Sequence, residues 1–212
     1  CFTHYFEPGS AYLGGDFFFP KNKTADCIKY LEKIAKPEHQ VVLHHLTVSG
    51  QILASGGKTC NCLLHPSVRQ AVHSKYAKAM AAELAWCLGH LNAEFKDELK
   101  KEYDALNPQK VSKVDFDMLF ATVRNLLENN AVKVIVMNGK NDVDSAEYSS
   151  GSNIVIGGNT LGRGVTFPGL HTIYYTRTSK KPQADTMWQH SRMFGYDRDP
   201  GMMMVFIDEP LY

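Results

Sequence analysis

Short, almost wholly apolar runs recur along the second half of this chain, and none shows the alternation of a strand with one wet face. Residues 132–138 hold Val134-Ile135-Val136; Ile154-Val155-Ile156, Thr172-Ile173-Tyr174-Tyr175 and Met203-Met204-Val205-Phe206-Ile207 follow, and residues 60–65 make another such run. Strands of this kind are buried on both faces, which is the condition of a parallel sheet covered by helices. The runs are separated by loops or helical stretches, so the pattern predicts an α/β fold with a mostly parallel sheet flanked by helices.

The helical stretches follow from apolar spacing. Residues 24–35 repeat Ile28, Leu31 and Ile34 with Lys29, Glu32 and Lys33 between them, which predicts a short helix that Pro37 stops. Residues 40–47, with Val41-Val42-Leu43, are expected to form a strand. Pro66 and Ser67 then open a long helix through Val68, Val72, Tyr76, Met80, Leu84 and Leu88, whose spacing of four keeps one face apolar. Charged residues fill 92–106, and an amphipathic helix is expected over 114–129. The stretch 92–130 therefore reads as a helical insertion standing off the sheet, residues 1–57 as an irregular or linking segment, and 58–212 as the α/β domain. The first residue is Cys1 rather than Met, so the chain is expected to be part of a longer protein.

Charge and cysteine content narrow the partners. Lysine and arginine number 23 against 22 acidic residues, so no overall basic field draws in a polyanion, and any nucleic-acid contact has to come from a local groove. Five cysteines occur without a C-x-x-C pair, which fits a reduced, cytoplasmic setting. Cys60 and Cys62 share one face of their strand, with His65 nearby; burial as small apolar side chains is expected there, and no metal site. No run is long enough to span a membrane. His44, His45 and His171 lack metal-ligand spacing and read as polar or packing residues.

Two blocks near the end carry the chemistry. The first is the polar loop Gly157-Gly158-Asn159-Thr160-Leu161-Gly162-Arg163-Gly164, which follows a strand. About twenty residues later comes Asp185-Thr186-Met187-Trp188-Gln189-His190-Ser191-Arg192-Met193-Phe194-Gly195-Tyr196-Asp197-Arg198. A glycine-rich loop at a strand's carboxyl end allows close backbone approach, and arginine's planar fork matches phosphate oxygens two at a time. A second candidate, Gly56-Gly57-Lys58-Thr59, fails as a phosphate loop: Ile52 stands where the leading glycine belongs, and a strand follows where a helix is needed. A surface turn is expected instead. Neither a nucleotide-binding loop nor an acidic metal-binding block is present in the sequence, so the chain holds at most part of an ATP site.

These blocks, with Leu63-Leu64-His65-Pro66-Ser67 before a helix and a fainter likeness at Tyr12-Leu13-Gly14-Gly15-Asp16, resemble the Z1 domain, the second RecA-like lobe of superfamily-two DEAD-type helicase motors found in bacterial restriction-type systems. The resemblance implies a RecA-like lobe whose partners are an N-terminal helicase lobe, DNA and a nuclease subunit, with ATP and magnesium held mainly by the other lobe. It implies that Gln189 and Arg192 belong to the motif that supplies an arginine finger, and that Arg198 lies where a second arginine falls. Tyr196-Asp197-Arg198 departs from the family by one extra residue, so Arg192 ranks first, and for either arginine pairing at the surface with Asp185 or Asp199 stands as the alternative. Gly158, Asn159, Arg163 and Gly164 match the loop that senses the nucleotide, and Thr160 the contact to the nucleic-acid backbone. His65, Ser67 and Arg69 fall at a strand-to-helix corner that touches the DNA strand; for Ser67, helix capping is an equal reading. Trp188 and Phe194 are expected to anchor the arginine segment in the core. A coupling domain that keeps the RecA-like shape without serving ATP remains the second reading.

Overall fold

The computed structural model describes residues 9–67, 69–137, 144–158, 166–176 and 193–212. Among these residues six strands form one sheet: β1 (Ile28–Tyr30), β2 (Thr59–His65), β3 (Val132–Met137), β4 (Gly151–Gly157), β5 (Leu170–Tyr175) and β6 (Met204–Ile207). Their order is β1-β6-β5-β2-β4-β3, and every neighbouring pair is parallel. The α/β architecture expected from the apolar runs is therefore present, as an all-parallel sheet flanked by helices and consistent with a RecA-like fold. Because the strands run one way, all six carboxyl ends lie along a single edge.

The described helices around the sheet are α1 (Gly15–Phe18), α2 (Pro37–Ala54), α3 (Gln70–Gly89), α4 (Ala93–Ala105) and α5 (Phe116–Glu128). Side-chain alternation divides the core in two. Cys62, Leu64, Ile154, Ile156, Tyr174 and Phe206 face α2 and α3, whereas Leu63, Val155, Ile173 and Val205 face Leu13, Phe18, Phe167 and Met193 on the other side. Helix α2 lies between the sheet and α5, and residues 41–52 are all buried. Gly50 permits the close approach: a Cβ there would lie 2.9 Å from both Leu119 and Val123 of α5. Helix α4 packs on α2 and α5 through Phe95 and Leu99, so the charged stretch adds a second helical layer outside α2.

Two expected elements are corrected. Over residues 24–35 the chain forms no α-helix; Ile28 pairs with Val205 in β1, and a 3-10 turn, Leu31–Lys33, follows. The strand expected at 40–47 is the interior of α2, which Pro37 opens rather than closes, since the missing N–H of proline costs nothing in a helix's first turn. Gly56-Gly57-Lys58-Thr59 is the expected turn. It links α2 to β2, with the Gly56 and Gly57 N–H groups bonded back to Leu53 and Ile52 carbonyls at 3.1 and 2.8 Å.

Candidate functional site

Strands β4, β2 and β5 are adjacent at the centre of the sheet, so their carboxyl ends bring three chain exits together. β2 ends at His65 and turns through Ser67 and Arg69 into α3. β4 ends beside Gly158, and β5 passes into Thr176, whose N–H donates to the His65 carbonyl at 3.3 Å. The connections after β5 and β2 leave these neighbouring strands in opposite directions, to β6 and β3, which is the divergence that opens a crevice in α/β sheets.

The corner after β2 is held by short local bonds. Ser67 Oγ accepts the Arg69 N–H at 3.2 Å, and the Ser67 carbonyl accepts from His73 Nε2 at 2.6 Å. Ser67 therefore ties the turn ahead of the helix; the residue at the N-cap is Arg69, and no side chain caps α3. The His65 side chain is buried with its ring tilted against Tyr175, centroids 5.2 Å apart, so of the three corner residues only Arg69 is exposed. Behind it, Tyr174 Oη donates to Glu38 Oε1 at 3.2 Å, and Tyr76 Oη lies 3.4 Å from Thr176 Oγ1. Burial first, then the neighbouring Tyr76 and Glu38, raises the Tyr174 phenol far above its ordinary value, so it stays a donor. No sequence pattern singled out Glu38, Tyr76 or Tyr174, because they meet only through the sheet.

Asn159, Thr160, Arg163 and Gly164 fall in 159–165, and Trp188, Gln189 and Arg192 in 177–192; all lie outside the described residues. The first segment continues the chain from Gly158 at this edge and the second from Thr176.

Arg198 is not brought to this edge. It is 4% exposed and pairs with Asp197, whose Oδ2 accepts the Gly169 N–H at 2.8 Å. Gly169 stands immediately before β5, which puts Asp197 and Arg198 at the amino-terminal edge, about 20 Å from the carboxyl ends for a strand of this length. Of the two alternative partners, Asp185 lies outside the described residues. Asp199 is engaged elsewhere, its carboxylate accepting the N–H groups of Gln109 at 2.9 and 3.0 Å, Lys110 at 2.7 Å and Gly201 at 3.0 Å. Its own N–H donates to His171 Nε2 at 3.0 Å, and His171 Nδ1 lies 3.0 Å from the Gly169 carbonyl. That pair of bonds fixes the neutral tautomer with the proton on Nδ1, and burial lowers the ring's pKa to about 4.

The remaining reactive-looking side chains are structural. His45 Nε2 lies 3.0 Å from Ser152 Oγ, which lies 2.9 Å from Ser49 Oγ, all inside the core. Burial, then the neighbouring His44 and His171, lowers the His45 pKa to about 3. Cys60 and Cys62 are buried on one face as expected; burial raises the Cys60 thiol to about 12 and Cys62 in the same direction, so neither is a nucleophile at neutral pH. Among the described residues no group of three or more His, Cys, Asp or Glu is arranged for a metal ion. Phe194 packs on the core beside Phe18, ring centroids 5.7 Å apart, as expected of an anchor. No described helix is long and apolar enough to cross a membrane.

No curated protein and no solved structure matches this chain. The family model described as Z1 domain matches residues 41–204, from the interior of α2 to the start of β6. That span takes in the whole carboxyl edge of β2, β4 and β5 and covers most of the sequence, and the chain therefore belongs to the Z1 domain family.

Proposed function

We propose that this chain is the second motor lobe of an ATP-dependent DNA helicase or translocase serving a restriction or related DNA-processing system. The observation that carries the reading is that β2, β4 and β5 are adjacent and parallel, so the Ser67–Arg69 corner, Gly158 and Thr176 come together at one sheet edge. In this reading an N-terminal lobe holds ATP and magnesium, and Arg192 reaches across to neutralise charge developing on the transferred phosphoryl group, with Gln189 beside it. Gly158, Asn159, Arg163 and Gly164 follow the nucleotide state, while Thr160 and Arg69 hold backbone phosphates without reading bases. Ser67 shapes the corner and His65 packs behind it. A nuclease subunit is the further partner.

The test is Arg192→Ala in the full-length protein. DNA-stimulated ATP turnover is expected to fall by about a thousandfold while DNA binding is kept. Unchanged turnover rules out Arg192 as the finger. A coupling domain that binds DNA or a nuclease without serving ATP would then stand, a reading favoured by the internal pairing of Arg198, which leaves Arg192 as the lone finger candidate of the two.

A further inference from the structure

A cleft of about 560 Å³ lies at the β1 end of the sheet, bounded by β1, β6, the turn Leu31–Lys33, the first turn of α2, and α4. Its volume is that of a small-molecule site. Ile28, Ile34, Met204 and Phe206 give it apolar surface, and Lys29, Tyr30, Lys33, Gln40 and Glu102 line it as well. None of these residues belongs to the carboxyl-edge site, so a ligand here does not depend on the motor reading.

The Glu102 carboxylate is 21% exposed and is approached by two side chains: Gln40 Nε2 donates to Oε1 at 2.5 Å, and His44 Nδ1 lies 3.5 Å from Oε2. Burial raises this carboxyl, but the contact with His44, the Gln40 bond and the charge of Lys29 outweigh it and hold the group below its ordinary range. It is therefore an ionised acceptor at neutral pH. Behind it the His44 ring, 1% exposed, stands edge-on to Phe206 at 6.1 Å, and its Nε2 has no hydrogen-bond partner among the described residues. Each carboxylate oxygen has two lone pairs. Gln40 takes one on Oε1 and His44 approaches Oε2, which leaves one acceptor on each oxygen, side by side.

The lysines supply the opposite charge. Both are exposed, Lys33 Nζ sits 4.7 Å over the Tyr30 ring, and neither Lys29 nor Lys33 forms an ion pair with a described residue. The cleft thus suits a ligand with an anionic group, a flat body and two adjacent N–H donors. Among the common nucleobases guanine alone carries two adjacent donors on one edge, N1–H and the 2-amino group, whereas adenine and cytosine alternate donor and acceptor and uracil has one N–H between two carbonyls. A guanidinium offers the same paired donors, but two lysines repel it. The geometry points to a guanine-nucleotide site: Glu102 receives N1–H and the 2-amino group, Phe206, Met204 and Ile34 cover the base, and Lys29 and Lys33 hold the phosphate.

Calorimetric titration of the full-length protein with guanosine monophosphate tests this, beside inosine monophosphate, which lacks only the 2-amino group. Saturable binding is expected, about tenfold tighter for the guanine nucleotide because it makes one more hydrogen bond to a charged acceptor. In Glu102→Gln, whose amide oxygen still accepts from Gln40, that preference should vanish. Replacing Lys29 and Lys33 together by alanine should weaken both nucleotides alike and flatten their salt dependence, with the preference kept. A 5′-phosphorylated oligonucleotide beginning with guanine distinguishes the source: displacement of the monophosphate extends the site to strand ends, and no displacement confines it to free nucleotides. The site is overturned by no saturable binding up to about 1 mM, by equal affinity for the two monophosphates, or by a preference that survives Glu102→Gln. Binding that is lost in Arg192→Ala also overturns it, since the nucleotide then belongs to the motor crevice.

Discussion

Asp199 shows how much one side chain holds at the amino-terminal edge. It is 2% exposed, and the N–H groups it accepts belong to Gln109, Lys110 and Gly201. The fit is tight as well: a Cβ at Gly201 would lie 1.5 Å from the Asn107 carbonyl oxygen, so only glycine closes the contact. Asp199→Ala takes the acceptor from three N–H groups and is expected to cost about 1 to 3 kcal/mol in urea unfolding, with Asp199→Asn losing about half as much because one acceptor remains. The sequence offered Asp199 only as a partner for Arg198. Its real partners include two residues about 90 positions away in the chain, and no local spacing points to them.

Among elements, the strands were the most legible and the innermost helix the least. Runs such as Val134-Ile135-Val136 and Ile154-Val155-Ile156 lie within the sheet between helices, so β-branched composition and bounding loops sufficed. Helix α2 is buried all round over residues 41–52, so it lacks the polar stripe by which a helix is recognised, and Val41-Val42-Leu43 imitates a strand. In residues 24–35 the opposite happened: Ile28, Leu31 and Ile34 keep helical spacing, but pairing with β6 and a 3-10 turn account for the burial of Ile28 and Leu31. The α2–α5 contact at Gly50 gives a sharp check. Gly50→Val drives methyl groups into Leu119 and Val123 and is expected to destabilise by about 1 to 3 kcal/mol, seen as a lower urea midpoint with an unchanged slope.

For the whole molecule, the buried histidines set the acid limit. His45 and His171 have folded pKa values lowered to about 3 and about 4, whereas an unfolded chain returns them to about 6.5. Between those values the unfolded state binds more protons, so stability falls as pH falls from about 6.5 towards 4, by roughly 3 kcal/mol for His171 alone. Unfolding free energy plotted against pH should show this slope, and His171→Asn should reduce it by about one proton. At this scale the carboxyl edge was legible in outline, because the β2-to-α3 corner and the exit of β4 follow directly from strand ends marked in the sequence. The surroundings of Arg198 were not legible, because its pairing with Asp197, which bonds to Gly169 at the far edge, depends on the fold.

The burial of α2 also decides where this protein can be divided. A fragment beginning at residue 58 would keep the signature blocks but lose the helix that seals Cys62, Leu64 and Ile154 on one side and Leu119 and Val123 on the other. It would lose β1 from the sheet as well. The working unit for expression, exchange between homologues or fusion to another lobe thus has to reach back to the segment of Leu13 and Phe18, even though the family signature starts at residue 41.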